Sequence, residues 1–244
     1  MAWHYNGHAM KSYFTTKMNI ITKISLTQTS RQGGLHLWKT CLVVFFGLLL
    51  FASCKEEDDE VEEYANWQAV NEQFMQNKFD YAAAGNDANW FYIKNYTFSD
   101  SVAATSQNSI VVHVLESGTG TDCPLYTDSV LVNYRGNLIK STSYTYTYDS
   151  ELGLTFDQSF VGEYSPETAL PASFSVSNLV DGFTTALLHM HVGDRWRVYM
   201  PYGLAYGESG NSSGSVTIPG YSTLSFEIQL QGKCHAGQSL PIVK

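Results

Sequence analysis

The stretch LVDGFTTALLHMHVGDRWRVYMPYGLAYG, residues 179–207, decides the fold of this chain. The apolar residues that recur at helical spacing and form one stripe are Leu179, Phe183, Ala186, Leu187 and Met190. Val192-Gly193-Asp194 breaks this period, and residues 195–200 then alternate like a half-buried strand. The stretch therefore predicts a short helix, a tight turn and a strand, and such a helix must bury its stripe against a sheet.

The flanking sequence supplies the strands of that sheet. Period-2 alternation is clearest at residues 129–134 and 223–230, and residues 109–115 form a β-branched run. Phe174 and Val176 predict a further short strand before the helix. Together these segments predict an α+β fold in which a curved antiparallel sheet, a half-barrel, wraps around one short helix.

A second helix is predicted upstream of the sheet. The residues with helical spacing are Tyr64, Trp67, Val70, Phe74 and Met75. Trp90-Phe91-Tyr92-Ile93 follows as a strand-like run, so residues 64–108 are expected to form an N-terminal helical appendage and linker. The aromatic stripe has two interpretations: it packs on its own domain, or residues 64–81 form an arm for homodimerisation or for gripping substrate.

Many ordered positions of the chain resemble the FK506-binding-protein (FKBP) type of peptidyl-prolyl isomerase over residues 109–233. The matching motifs are Val130-x-Val132-x-Tyr134-x-Gly136, Phe156-Asp157-x-Ser159, Leu179-Val180-x-Gly182-Phe183, Leu204-Ala205-Tyr206-Gly207 and Ile218-Pro219. The resemblance implies cis-trans isomerisation of X-Pro bonds in polypeptide clients, without cofactor or metal. It also implies binding of FK506- or rapamycin-type ligands.

The resemblance assigns a role to each candidate site residue. The residues that would line an apolar cup for proline are Tyr134, Phe156, Leu179, Val180, Phe183, Ile218 and Phe226, with Phe183 as the floor. Tyr206 would donate a hydrogen bond to a substrate carbonyl, and Asp157 would place a polar group at the mouth, near the twisting amide. Asp157, Tyr206 and Phe183 are thus the expected catalytic residues.

The sequence departs from the family at three places. Tryptophan is usual at the floor, where Phe183 stands, and Ala172 replaces an aromatic residue, so a wider pocket and slower catalysis are expected. Residues 140–153, KSTSYTYTYDSELG, replace a short turn. This segment is either a loop insertion that the surface tolerates or a platform of Tyr144, Tyr146 and Tyr148 beside the active site. The platform would suit an alternative function, a weakly active or inactive module that binds clients.

The first 53 residues resemble a lipoprotein signal peptide. They contain no Asp or Glu, and the apolar run 42–52 is shorter than the about 20 residues that a membrane span needs, although a short anchor remains the alternative. Leu50-Phe51-Ala52-Ser53-Cys54 resembles a lipobox, which implies lipidation of Cys54. Residues 54–63 would form an acidic tether. We therefore expect an envelope lipoprotein of a Gram-negative bacterium, anchored to the outer membrane on its periplasmic face or at the cell surface.

The net charge bears on nucleic-acid binding, and the cysteine content bears on a possible disulfide. The formal net charge is −9, and removal of residues 1–53 with their 5 of 14 Lys and Arg gives 9 − 23 = −14, which disfavours nucleic-acid binding. Cys41 would leave with the signal peptide. Cys123 and Cys234 flank the isomerase-like domain and are candidates for a disulfide, although sequence does not show whether their Cβ atoms meet. Residues 234–244 form a C-terminal tail.

Two other motifs are expected to carry no chemistry. Gly210-Asn211-Ser212-Ser213-Gly214 matches G-x-S-x-G, but it lies in a polar flap without the strand and helix that a nucleophile elbow requires. His189 and His191 are two positions apart, so a helix would point them to different faces. They are therefore interpreted as helix-end histidines and not as a metal pair.

Overall fold

The computed structural model describes residues 62–241, and within them the fold is a seven-stranded antiparallel sheet with two α-helices. The elements in chain order are α1 (Trp67–Ala83), β1 (Trp90–Lys94), β2 (Ser109–Glu116), β3 (Ser129–Ile139), β4 (Leu152–Gln158), β5 (Ala172–Ser175), α2 (Asp181–Leu187), β6 (Arg195–Met200) and β7 (Leu224–Cys234). In this part of the chain no helix is both long and apolar enough to cross a membrane.

Strands β3 and β7 form the centre of the sheet. The order across the sheet is β1-β2-β6-β7-β3-β4, and β5 pairs with β3. β3 and β7 remain paired from Ser129 opposite Cys234 to Leu138 opposite Leu224, with one bulge. Both strands are 11 residues long, so their register fixes which side chains reach each face.

The two faces of the sheet are covered by different helices. On one face, Val112 and Val198 join a buried cluster with Phe183 and Leu187 of α2. The next residues along those strands, Val111 and Tyr199, point to the other face, where they pack with Met75 of α1. The alternation of strand residues therefore gives each helix an apolar surface of its own.

The predicted architecture is confirmed, although element boundaries differ. Helix α2 begins at Asp181, after Leu179 and Val180, and ends at Leu187. Met190 lies beyond the end of α2 but is still buried, and its backbone N–H donates to Ala186 O at 3.0 Å. Strand β4 was not predicted as a strand, and β1 pairs with β2 along its whole length. The expected division at residue 109 is therefore not a break in the structure.

Helix α1 packs on its own domain, as the first of the two interpretations states. Trp67 and Met75 are buried, and the Trp67 indole N–H donates to Ser222 Oγ at 2.8 Å. The fully buried Asn71 accepts the backbone N–H of Thr223 at 2.7 Å. Most of the aromatic stripe considered for a dimerisation arm therefore packs against the sheet of its own chain. Val70 is the stripe residue that stays exposed.

The tyrosine-rich insertion also lies on the α1 side of the sheet. Tyr146 packs over the guanidinium of Arg135, which alternates with Tyr134 and so points away from the predicted cup. Asp149 pairs with Arg197 at 2.6 Å, and Leu152 joins the cluster under α1. These contacts support the interpretation of a loop insertion and not that of a platform beside the active site.

The two cysteines outside the signal-like segment are not bonded to each other. Cys123 and Cys234 are both free thiols in the structure, so the considered disulfide is absent. Cys234 Sγ lies 3.5 Å from Gln238 O, whereas Cys123 Sγ lies near His191. The two thiols thus have different polar neighbours. Their positions at the two ends of the isomerase-like domain in sequence do not bring them into contact. The signal peptide 1–53, Cys54 and most of the tether lie outside the described residues.

We expect Asn71→Ala to destabilise the whole domain, because the buried N–H of Thr223 loses its acceptor. The expected cost is about 1–3 kcal/mol of unfolding free energy. Urea denaturation followed by far-UV circular dichroism and by tryptophan fluorescence measures it. Gln73→Ala on the exposed face of α1 is the matched control and should change stability by less than about 0.5 kcal/mol. A variant in which α1 melts separately while the sheet stays intact would contradict the tight packing of α1 on the sheet.

The stability of the domain should fall as the pH drops below about 6.5, partly because of His113. Burial, followed by the positive charge of Arg197, lowers the pKa of His113, whose ring stacks on Trp90 at 4.4 Å. The unfolded chain then binds the proton more readily than the native chain, so acid favours unfolding. His113→Phe keeps the stack and should flatten the dependence between pH 7 and 5, measured by urea denaturation. An unchanged slope would contradict this assignment.

Candidate active site

Three aromatic side chains from three elements meet on the α2 face of the sheet. Tyr134 comes from β3, Phe226 from β7 and Phe183 from α2. The ring centroids of Phe183 and Phe226 are 5.2 Å apart and nearly perpendicular, and those of Tyr134 and Phe183 are 6.3 Å apart. Such edge-to-face contacts fix the rings more precisely than aliphatic packing does. We call these three residues the aromatic cup.

The remaining predicted residues surround the aromatic cup. Phe156 packs edge-on against Phe226 with centroids 5.4 Å apart. The residues at the rim, half-buried and in contact with the same cluster, are Phe156, Leu179, Val180 and Tyr206. Phe183 is 3% exposed and Ile218 is 4% exposed, so the base is closed while the rim is partly open. All predicted apolar site residues thus belong to one core cluster, in which ring contacts join Tyr134, Phe156, Phe183 and Phe226.

A carboxylate lies at the edge of this apolar surface. The hydroxyl of Tyr134 donates to Asp157 Oδ2 at 2.8 Å, and the backbone N–H of Gln158 donates to Asp157 Oδ1 at 2.9 Å. Asp157 itself is exposed. Burial, then the hydrogen bond to Asp157 and its negative charge, raise the pKa of Tyr134 well above its ordinary value. Tyr134 therefore remains a neutral donor that holds Asp157 in position.

Tyr206 keeps an uncommitted hydroxyl. It follows the turn of Tyr202–Leu204 and packs, partly buried, against the core cluster that contains the cup residues. Within residues 62–241 its hydroxyl has no hydrogen-bond partner, although it lies close enough to contribute to the raised pKa of Tyr134. A hydroxyl of this kind, beside an apolar surface, is free to donate to a bound carbonyl group.

The flap after Tyr206 is held by a backbone bridge of its own. Asn211 and Ile218 exchange two backbone hydrogen bonds of 2.9 and 2.8 Å, and Ile218 is buried in the core cluster that contains the cup residues. Gly210 has a φ of 70° and lies against this bridge, where a side chain would collide with the backbone of Pro219. The G-x-S-x-G motif lies in this irregular segment and does not lead from a strand into a helix.

Sequence reasoning missed two contributors to the cup. Phe174 on β5 packs edge-on against Tyr134, with centroids 5.6 Å apart. Gly136 lies under the rings: a Cβ there would be 2.5 Å from the Phe156 ring and 2.7 Å from that of Phe226. The sequence signals were the alternation of Phe174 and the position of Gly136 two residues after Tyr134 on the same face. Ala172, where the family usually has an aromatic residue, is half-buried and packs against the core cluster that contains the cup residues.

Comparison with known proteins agrees with this geometry. Residues 122–231 match the model of the family described as FKBP-type peptidyl-prolyl cis-trans isomerase. The chain is 34% identical over 139 residues to the FKBP-type 22 kDa peptidyl-prolyl cis-trans isomerase of Escherichia coli, covering 57% of this chain and 56% of that protein. It is 30% identical over 178 residues to the isomerase FkpA of Escherichia coli, covering 72% and 57%.

A third relative is the macrophage infectivity potentiator of Trypanosoma cruzi, 33% identical over 123 residues that cover 50% of this chain and 52% of that protein. A crystal structure of a peptidyl-prolyl isomerase from Pseudomonas syringae aligns with a TM-score of 0.45 at 22% identity, over 69% of this chain and 96% of that one. The chain spans about half the length of these curated relatives. At family level, residues 122–231 are similar to the FKBP type of peptidyl-prolyl isomerase.

Gly136→Ala should disturb the aromatic cup, because the added methyl group meets the rings of Phe156 and Phe226. Overpacking of this kind costs about 1–3 kcal/mol of stability. We expect a loss of near-UV circular dichroism from the aromatic side chains and a lower urea midpoint. Gly203→Ala is the matched control, since a Cβ there meets nothing within 4 Å. Equal behaviour of the two variants would contradict the close packing at Gly136.

Proposed function

We propose that this chain is a peptidyl-prolyl cis-trans isomerase that accelerates rotation about X-Pro bonds in exported polypeptides. The observation that carries the proposal is the combination at one site of an apolar aromatic cup, the Tyr134–Asp157 hydrogen bond and the free Tyr206 hydroxyl. The family match of residues 122–231 supports the same reaction class. Proline is an apolar ring flanked by polar amides, and this site offers an apolar surface with polar groups at its rim.

The proposed mechanism follows from the electronic structure of the amide bond. Resonance gives the C–N bond partial double-bond character and a rotation barrier of about 18–20 kcal/mol. Rotation loses the dipolar resonance form, so transfer of the amide from water into an apolar cup weakens the stabilisation that opposes twisting. The reaction forms and breaks no covalent bond. The protein therefore has to desolvate the proline and hold it, and no electron carrier is needed.

Each residue has a proposed part in this process. Phe183 and Phe226 form the surface against which the proline ring packs, and Ile218 closes the flap side. The Tyr206 hydroxyl donates to the carbonyl that precedes or follows the proline. Asp157, held by Tyr134, interacts with the amide as it twists out of conjugation. Asp157, Tyr206 and Phe183 are thus the proposed catalytic residues.

One observation favours a second candidate function. Phe183 packs tightly between Tyr134 and Phe226 and has no N–H to offer a substrate carbonyl. A cup with such a floor can bind proline or an FK506- or rapamycin-type ligand and yet catalyse slowly. In that case the chain is a client-binding module or chaperone of the FKBP type. The tyrosine-rich insertion lies on the opposite side of the sheet and offers no support for client capture at the cup.

The cellular setting is also a proposal. The lipobox-like sequence that ends at Cys54 favours a lipid anchor to the outer membrane of a Gram-negative cell. One relative, 34% identical over 117 residues, is named outer membrane protein MIP of Legionella longbeachae. Labelling of cells with a radioactive fatty acid tests the anchor: the wild-type chain should carry label and Cys54→Ala should not. Label that persists in the variant would place the anchor elsewhere.

Asp157→Asn should lower kcat/KM for a short X-Pro peptide by about 10- to 100-fold, because a charged hydrogen-bonding group is worth about 1.5–3 kcal/mol. Protease-coupled or NMR exchange kinetics measure the rate. Asp80→Asn, which removes an exposed carboxylate from α1, should leave the rate unchanged. A wild-type protein that binds the peptide without accelerating its isomerisation would favour the binding module. A fully active Asp157→Asn variant would contradict the role of the carboxylate.

A further inference from the structure

Buried hydrogen bonds connect helix α1 to the end of the flap, residues 218–223, which we call the flap end. The Trp67 indole N–H donates to Ser222 Oγ at 2.8 Å, and the Ser222 hydroxyl donates in turn to Pro219 O at 2.7 Å. An indole N–H only donates and a carbonyl oxygen only accepts, so the hydroxyl has one orientation that serves both partners. Trp67 and Ser222 are both buried, and the next residue before Pro219 is Ile218.

A second contact ties the flap end to the next turn of α1. The Thr223 backbone N–H donates to Asn71 Oδ1 at 2.7 Å, and the Thr223 hydroxyl donates to Asn71 O at 3.2 Å. The Asn71 side-chain amide donates to Trp67 O at 2.7 Å, which joins the two contacts into one network. Because residues four apart lie on the same face of a helix, one face of α1 holds the flap end at two successive residues.

The flap end is also held on its other side, by the residues that follow Tyr206. The Tyr221 N–H donates to Gly207 O at 3.1 Å, and the Tyr221 ring packs edge-on against Tyr202 with centroids 5.1 Å apart. Tyr221 has a φ of 61°, in the left-handed region that bulky residues seldom adopt. Such a conformation persists where the surrounding contacts enforce it. The flap end therefore lies fixed between α1 and the turn that carries Tyr206.

The two arms of the flap touch through their backbones at this point. A Cβ on Gly220 would lie 1.9 Å from Glu208 O, and a Cβ on Gly210 would lie 2.1 Å from Ile218 O. Closely packed segments pass a displacement on to their neighbours instead of absorbing it. A shift of the flap end away from α1 would therefore move Ile218 with it.

We propose that α1 positions one wall of the proposed active site, with Trp67 acting through Ser222 to set the place of Ile218. The inference rests on the proposed function, which gives Ile218 the flap side of the cup. Trp67 is a positioning residue and not a catalytic one, because it acts through the Ser222 hydroxyl. Trp67 and Asn71 lie outside residues 122–231, which match the family model, so a segment outside the matched region contributes to the site.

The same hydrogen bonds have a purely structural interpretation, in which they only hold α1 on the sheet. Ser106 offers a matched control that separates the two interpretations. Its buried hydroxyl donates to Gln76 Oε1 of α1 at 2.7 Å, but it lies before β2 and not in the flap. Ser222→Ala and Ser106→Ala each remove one serine hydroxyl that is bonded to α1, and only Ser222→Ala breaks a contact with the flap end.

Amide hydrogen exchange of the full chain in detergent, followed by mass spectrometry of peptides from residues 207–223, tests the positioning without the isomerase reaction. Trp67→Phe keeps an apolar ring but removes the indole N–H, and Ser222→Ala removes the hydroxyl. Either change should speed exchange of the flap end about 3- to 10-fold, as the loss of one buried hydrogen bond predicts. Ser106→Ala should leave this exchange at the rate of the parent protein. Peptides from β2 should be unchanged in all three variants.

Isomerisation kinetics of a short X-Pro peptide, at a temperature where circular dichroism shows each variant folded, test the consequence for the site. Trp67→Phe and Ser222→Ala should raise KM about 3- to 10-fold, because Ile218 would contact the bound and the twisting peptide alike. The turn of Tyr206 keeps its own hydrogen bond from Gly207 N–H to Tyr202 O at 2.8 Å, so kcat should change less than about twofold. The double variant should be no worse than Ser222→Ala alone, because the indole acts through the hydroxyl.

Two results would overturn the proposal: equal exchange of the flap end in Ser222→Ala and Ser106→Ala, or faster exchange of the flap end with KM unchanged. Either would leave the Trp67–Ser222 bond as a packing contact. If the parent protein does not accelerate isomerisation, the dissociation constant of an FK506-type ligand replaces KM as the measure of the site. A parent protein without either property would contradict the proposed function, while the exchange rates would still decide whether α1 positions the flap end.

Discussion

The pairing of β3 with β7 is the constraint on which the rest of the structure depends. It sets Tyr134 opposite Ile228 and Gly136 opposite Phe226, so the rings of the cup meet over a position that carries no side chain. A slip of one residue would turn Tyr134 away from α2 and bring Arg135 to the cup. At the bulge after Leu131, β7 contains one extra residue, because Leu131 pairs with Gly232 and Val132 pairs with Leu230.

The same register separates two kinds of surface. Tyr134 faces the cup, whereas Asn133, Arg135 and Asn137 face the other side, where the insertion and the segment around Phe160 cover them. The guanidinium of Arg135 packs over the ring of Phe160 at 4.3 Å. Cationic and polar groups are therefore kept off the face that carries the aromatic cup, and Asp157 is the charged group that Tyr134 holds at its edge. An apolar site with one positioned carboxylate follows directly from strand alternation.

The sequence predicts the elements of this fold better than the contacts between them. Alternation and helical spacing identified β3, β6, β7 and α2, because half-buried elements carry their period in the chain itself, and a β-branched run identified β2. Strand β4 was missed because its first two residues were assigned to the insertion, although Leu152, Leu154 and Phe156 alternate with Gly153, Thr155 and Asp157. The integration of β1, the location of the insertion and the separation of Cys123 from Cys234 depend on contacts between distant segments, which no local pattern contains. The proposed site residues were taken from motifs that resemble a family, while the contacts of Phe174 and Gly136 required the geometry.

The most direct test of the central claim is the rate of cis-to-trans conversion of a short X-Pro peptide, measured with and without an FK506-type ligand. The account predicts that the protein accelerates conversion and that the ligand, by occupying the cup of Tyr134, Phe183 and Phe226, abolishes the acceleration. Acceleration that saturating ligand leaves unchanged would contradict the assignment of this cup as the active site. A protein that neither accelerates conversion nor binds the ligand would contradict the proposed function as a whole.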